Sequence, residues 1–163
     1  MRSPPRTPRP VDERPARGLV DTSVILDLER LDPEGLPLEL AISALTLAEL
    51  AAGPHVASDA KERGVRQDRL QRTEATFDAL PFDAAAARAY GRVYAAVASA
   101  SRKAQGARAV DLMIAATAAA ADVPLYTRNT DDFRGLEDVV TVIGCRAGSP
   151  RLQPWGGRAP LGP

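Results

Sequence analysis

Apolar positions along the chain fall into short runs separated by longer stretches of helical period, and the two alternate. Residues 18–21, "GLVD", read as a short strand, and "SVILDLERL" (23–31) carries the i, i+3, i+4 spacing of an apolar helix. "LAISA" (40–44) predicts a second strand. "TLAELAAG" predicts a helix that starts near Leu47 and stops at Gly53-Pro54. Residues 58–75 are polar and predict an exposed helix, with Glu62 and Arg66 in the favourable i,i+4 orientation. "ATFDALPF" (75–82) predicts a strand. A long helix follows over 83–105, with Tyr90, Val93, Tyr94 and Val97 on one face. Residues 109–121, "AVDLMIAATAAAA", form an apolar helix whose alanines permit close packing. "LYT" (125–127) and "VVTVI" (139–143) read as strands around a short helix from Asp131 to Leu136. Alternation of this kind predicts an α/β fold with a mostly parallel sheet. No internal repeat is visible.

Composition changes the picture at the two ends. Residues 1–17 hold five prolines and little that is apolar, and residues 147–163 are Gly/Pro-rich with one tryptophan, Trp155. Neither stretch can bury enough surface to offset the entropy of ordering, so both are expected to be disordered tails around one domain, 18–146. Formal net charge is zero over the whole chain, yet it is +3 in residues 1–17, +2 in 147–163 and −5 between them. An acidic middle argues against simple basic-patch binding of nucleic acid. It leaves room for a nucleic-acid enzyme whose acids are covered by metal ions. The one cysteine, Cys145, excludes an internal disulfide framework. No apolar run reaches membrane-span length and the N-terminus lacks the apolar core of a signal peptide, so a soluble, cytoplasmic protein is expected.

Four acidic positions share one kind of place. Asp21 follows the first strand, Glu49 lies after the second, Asp111 opens the helix 109–121, and Asp131 and Asp132 follow the strand 125–127. In an open parallel sheet the carboxyl ends of neighbouring strands face one crevice. Each acid also has a purely structural explanation. Thr46 and Glu49 fit a capping box, Asp111 and Asp131 complement helix dipoles, and Thr22 or Ser23 can cap the helix after Asp21. Asp21 is the least easily explained that way, because a serine or threonine caps without burying a charge. Converging carboxylates would call for a cation, and an all-oxygen set suits Mg²⁺ or Mn²⁺ and hydrolysis of a phosphodiester. Other chemistries are poorly supplied. His55 is the only histidine and sits at a helix end, Cys145 has no partner, and no glycine-rich phosphate loop is present.

"LVDTSVILDLERL", "ISALTLAELAAGP", "RAVDLMIAATA" and "LYTRNTDDFRGL", in this order and spacing, together resemble the PIN-domain ribonucleases of bacterial toxin–antitoxin pairs, the VapC type. The resemblance runs from about Leu19 to Val142 and includes neither tail. It implies a three-layer α/β/α domain and an RNA-cutting, Mg²⁺-dependent endonuclease that leaves a 5′-phosphate and a 3′-hydroxyl. Asp21, Glu49, Asp111 and Asp132 become the catalytic and metal-ligating acids, with Asp131 sharing or replacing Asp132. Thr22, Ser23, Thr127 and Asn129 become the groups that orient them. Arg102, Lys103, Arg108 and Arg128 are the local cations offered to RNA phosphates, while Arg63, Arg66, Arg69 and Arg72 look like a solvent face. The resemblance further implies a homodimer and a small VapB-type antitoxin, with Leu47, Leu50, Val65 and Leu70 as candidate contacts. Two alternatives stand beside this reading: a nuclease acting on structured DNA, and a catalytically silent regulator.

Overall fold

The computed structural model describes residues 14–99 and 107–148. Arg102, Lys103, Trp155 and most of both expected tails lie outside the described residues. Five strands, β1 (Arg17–Val20), β2 (Glu39–Ser43), β3 (Ala79–Leu80), β4 (Leu125–Thr127) and β5 (Val142–Gly144), alternate with helices α1 (Thr22–Asp27), α2 (Ala44–Ala52), α3 (Ala60–Thr76), α4 (Ala84–Ser99) and α5 (Ala107–Ala120). The sheet order is β3-β2-β1-β4-β5 and every neighbouring pair is parallel.

The period-2 alternation of the strands builds the layers. Leu19, Ala41 and Leu125 point into one core, beneath α4 and α5, with Val93, Val97, Leu112 and Ile114. Their immediate neighbours Val20, Ile42 and Tyr126 point into the other, with Val24 and Ile25 of α1 and Leu50 of α2. A sheet covered on both faces explains why these strands read as continuous apolar runs. Each fully buried aliphatic side chain contributes about 1.5–3 kcal/mol. On α5, Ala115, Ala116 and Ala118 are completely buried, so the small side chains serve the close packing expected of them.

Several boundaries differ from expectation for local reasons. The strand expected over 75–82 shrinks to Ala79–Leu80 because α3 continues to Thr76, where threonine hydroxyls bond back to carbonyls one turn earlier (Thr73 to Arg69, 2.8 Å; Thr76 to Arg72, 2.7 Å). Val139 and Val140 are not strand residues: both amides bond the Leu136 carbonyl, at 2.8 and 2.9 Å, making a turn before β5. The first helix ends at Asp27 and tightens into a 3-10 turn over Leu28–Arg30. Tyr94 is half exposed rather than in the core with Val93 and Val97. The fold also takes in residues next to the expected boundaries. Pro15 and Ala16 carbonyls accept from Leu38 and Glu39, Arg17 begins β1, and Ala147 bridges to Leu31.

Candidate active site

Strand β1 lies between β2 and β4, so the segments leaving those three strands emerge side by side. The Asp21 amide donates to the Tyr126 carbonyl at 3.0 Å, fixing the end of β1 against β4. The Asp21 carboxylate is nearly buried. It accepts from the Val24 amide at 3.1 Å and from the Ser23 hydroxyl at 2.6 Å. Asp21 is therefore itself the N-cap of α1, a role expected for Thr22 or Ser23. Capping uses one carboxylate oxygen and leaves the charge in place. Ser23 has a second task, accepting the Arg128 amide at 3.0 Å and so tying α1 to the loop after β4.

The capping box expected of Thr46 and Glu49 is absent. Ser43 caps α2 instead, accepting from the Thr46 amide at 3.0 Å, and the helix starts three residues earlier than Leu47. Glu49 consequently sits in the second turn, exposed, where it accepts a hydrogen bond from the Thr22 hydroxyl. Its position has no capping explanation left.

Asp111 also lies one turn inside its helix rather than at the start. Burial pushes its carboxyl up to about 6, and the nearby charges of Asp132, Glu49 and Asp21, in that order, push it the same way. Three carboxylates from three other segments thus act electrostatically on one. Arg108, one turn before it, pulls in the opposite direction. The Nε and Nη2 atoms of Arg108 are buried without a hydrogen-bond partner among the described residues.

After β4 the two adjacent acids separate. Thr127 is fully buried and accepts the Asn129 amide at 3.0 Å; Asn129 in turn donates from Nδ2 to Asp132 at 2.7 Å. Asp131 instead pairs with Arg134 at 2.7 Å on the exposed side of the 3-10 turn Thr130–Phe133. The Asp132 charge is the largest of those that raise Asp111. Arg128 is already matched by Asp27 at 3.4 Å, which weakens it as a phosphate contact. His55 is exposed, in the 3-10 turn Gly53–Val56 that follows α2. Cys145 is buried, and burial, then the Asp21 charge, pushes its thiol up to about 11, far from a reactive thiolate.

Among the described residues, no three acidic, histidine or cysteine side chains stand close enough to form a ready-made metal cage. Asp132, Glu49 and Asp21 each act electrostatically on Asp111, and among the described residues these acids do not form a ligand cluster. The donor set nevertheless fits a hard divalent cation: it is all oxygen, and the charge that raises Asp111 is what such an ion would neutralise.

A wholly parallel sheet with carboxylates gathered at the carboxyl ends of its central strands defines an α/β protein with an acidic site at its strand crossover. The family profile of the PIN domain matches residues 18–138, and the chain belongs to the PIN-domain family. Among solved structures it is similar to a member of the VapBC family of toxin–antitoxin systems, VapBC-5 from Mycobacterium tuberculosis. That match has 35% identity and a TM-score of 0.71, over 80% of this chain and 99% of that one. It is similar also to FitAcB from Neisseria gonorrhoeae, at 29% identity and TM-score 0.63, over 77% and 96%. VapBC2 from Rickettsia felis, solved on a DNA fragment from its promoter, shares the fold at 19% identity and TM-score 0.62, over 78% and 98%. No curated protein matches the chain in sequence.

Proposed function

We propose that this chain is the toxin of a type II toxin–antitoxin pair and hydrolyses RNA phosphodiester bonds as a Mg²⁺-dependent endoribonuclease. The observation that supports the reading is the electrostatic pressure of Asp132, Glu49 and Asp21 on Asp111, carboxylates carried by four separate segments of the chain. Asp21 and Asp111 would hold the cation directly, with Glu49 and Asp132 completing the acidic set. Bound there, Mg²⁺ or Mn²⁺ would supply water activation and neutralisation of charge on the phosphate.

The other residues hold these groups in position. Ser23 fixes Asp21, Thr22 holds Glu49, and Asn129, itself set by Thr127, holds Asp132. Arg108 carries two buried donors with nothing to bond, next to an acid that would face the scissile phosphate. It is a better phosphate contact than Arg128, which Asp27 already matches. Single-stranded or looped RNA is the substrate class, because unstacked bases leave the backbone open to a crevice.

The VapBC-5 relative is a member of a toxin–antitoxin family, which supports a VapB-type antitoxin as partner. Val65 is half exposed and Leu47 and Leu70 are partly so, which suits them to that contact; Leu50 belongs to the core. Among the described residues no helix is long and apolar enough to cross a membrane, in keeping with action in the cytoplasm. The test is cleavage of matched RNA and DNA hairpins by the purified chain. RNA cutting in Mg²⁺ should stop with EDTA and in natively folded Asp21→Asn and Asp111→Asn variants. Cleavage that persists in any of those three cases overturns the reading, and preference for DNA transfers it to another substrate.

A further inference from the structure

The four arginines of α3 do not form a uniform solvent face. Arg66 bonds the Gly53 carbonyl at 2.9 Å and pairs with Glu62, while Arg72 pairs with Asp68 at 2.9 Å and Glu29 at 3.5 Å. Arg63 is exposed. Arg69 is partly buried, and its guanidinium makes no hydrogen bond or ion pair with any described residue.

Arg69 lies between two adjoining cavities. The first, of about 270 Å³, is lined by Thr22 and Glu49 at the edge of the acidic site, together with Leu26, Gly53 and Arg69. The second, of about 510 Å³, runs on between α1 and α3, with Leu26 and Arg69 again in its wall and Phe77 and Arg30 further along. Leu26 is 48% exposed, although its neighbours Val24 and Ile25 are buried. One cleft therefore leads from the Thr22–Glu49 pair to the far end of α3. Arg30 is matched by Asp27 at 3.8 Å, so Arg69 is the unmatched cation of that cleft among the described residues.

A polyanion entering an acidic crevice needs positive charge close by to hold the phosphates that the metal does not cover. We propose that this cleft carries the RNA strand away from the cut, with Arg69 taking a flanking phosphate and the Leu26–Phe77 wall receiving its base. The inference rests on the RNA-cleavage reading and extends it to the path of the strand. An unpaired guanidinium supplies the phosphate contact, and an apolar wall with an aromatic ring accepts an unstacked base of any sequence.

The test measures binding of a fluorescent single-stranded RNA to the full chain carrying Asp111→Asn, alongside cleavage by the chain with Asp111 intact. Arg69→Glu should weaken binding about tenfold and Arg69→Gln several-fold, with the slope of log affinity against log salt falling by about 0.7 for the lost phosphate contact. Turnover at saturating RNA should stay near that of the unsubstituted chain, and Arg63→Glu, the same charge change on an exposed turn of α3, should have little effect on either quantity. Unchanged affinity and salt slope in Arg69→Glu, with RNA still cut in Mg²⁺, overturns the path and leaves the nuclease reading standing. Loss of antitoxin neutralisation with RNA binding intact also overturns it, assigning the cleft to the antitoxin. A chain that neither binds nor cuts RNA overturns both.

Discussion

The Thr22 hydroxyl donates a hydrogen bond to the Glu49 carboxylate, joining the first residue of α1 to the second turn of α2. Glu49 is exposed and has no capping role, so this bond is what directs it toward the other acids rather than into solvent. Thr22→Val should lower kcat/KM for RNA by about tenfold, the size expected when one positioning contact is lost. Stability should change by less than about 1 kcal/mol, because the bond is exposed. Thr22→Ser should restore most of the activity. Urea melts and initial rates on one RNA check both halves, and equal rates for the valine and serine variants would remove the positioning role.

Asp111 links the site to stability. Its carboxyl titrates near 6 in the folded chain against 3.8 as the ordinary value, raised first by burial and then by Asp132, Glu49 and Asp21. The folded state therefore holds the proton more tightly than the unfolded one. The contribution is fully present below pH 3.8 and is lost as pH rises through 6. The group is partly exposed, which reduces the loss to about 1 kcal/mol. In EDTA, Asp111→Asn should gain on the unsubstituted chain between pH 4 and 7 while cutting no RNA, and Mg²⁺ should close that gap. Urea unfolding across the pH range measures it. Parallel curves for the two proteins would show that the carboxylates do not share a field.

The fold was legible because a parallel sheet covered on both faces writes itself as short apolar runs between helices. The alternation at Leu19–Val20, Ala41–Ile42 and Leu125–Tyr126 carries that information locally. What misled was chemistry that competes with the pattern. Thr46 and Glu49 have capping-box spacing, yet Ser43 captured the Thr46 amide first and moved the whole helix start. Val139 and Val140 have strand chemistry but obey a turn closed on the Leu136 carbonyl. The candidate acids could be named from their place after strands. The unmatched state of Arg69 could not, because it depends on which of four similarly spaced arginines finds a carboxylate across the fold.

Gly18 bears on the frame rather than the chemistry. A Cβ placed there would collide with the Tyr126 ring and touch Pro37 Cγ at 3.0 Å. Tyr126 is buried in the core beneath α1 and its carbonyl receives the Asp21 amide, so the ring cannot move without disturbing the acid site. Gly18→Ala should destabilise the chain by about 1–3 kcal/mol, as overpacking does. Tyr126→Leu should recover part of that in the double variant. Chemical denaturation of the two single variants and the double variant checks the coupling, and simple additivity of the two effects would contradict it.

The last pair of acids gives the sharpest contrast, since two neighbouring aspartates of one 3-10 turn face different partners. Asn129 Nδ2 holds Asp132 at 2.7 Å, and Asp132 heads the charges that raise Asp111; Asp131 meets Arg134 at 2.7 Å. Asp132→Asn should reduce RNA cleavage by about 100-fold or more, on the scale of a lost group at a reacting centre. Asn129→Ala should produce a smaller loss through the same carboxylate. Asp131→Asn should cut RNA at nearly the unsubstituted rate, since breaking the exposed ion pair with Arg134 costs under about 1 kcal/mol. Rates in excess Mg²⁺ for the three variants decide the assignment. The reverse ranking, with Asp131 essential and Asp132 dispensable, would require the turn to rotate on binding substrate and would detach Asn129 from the site.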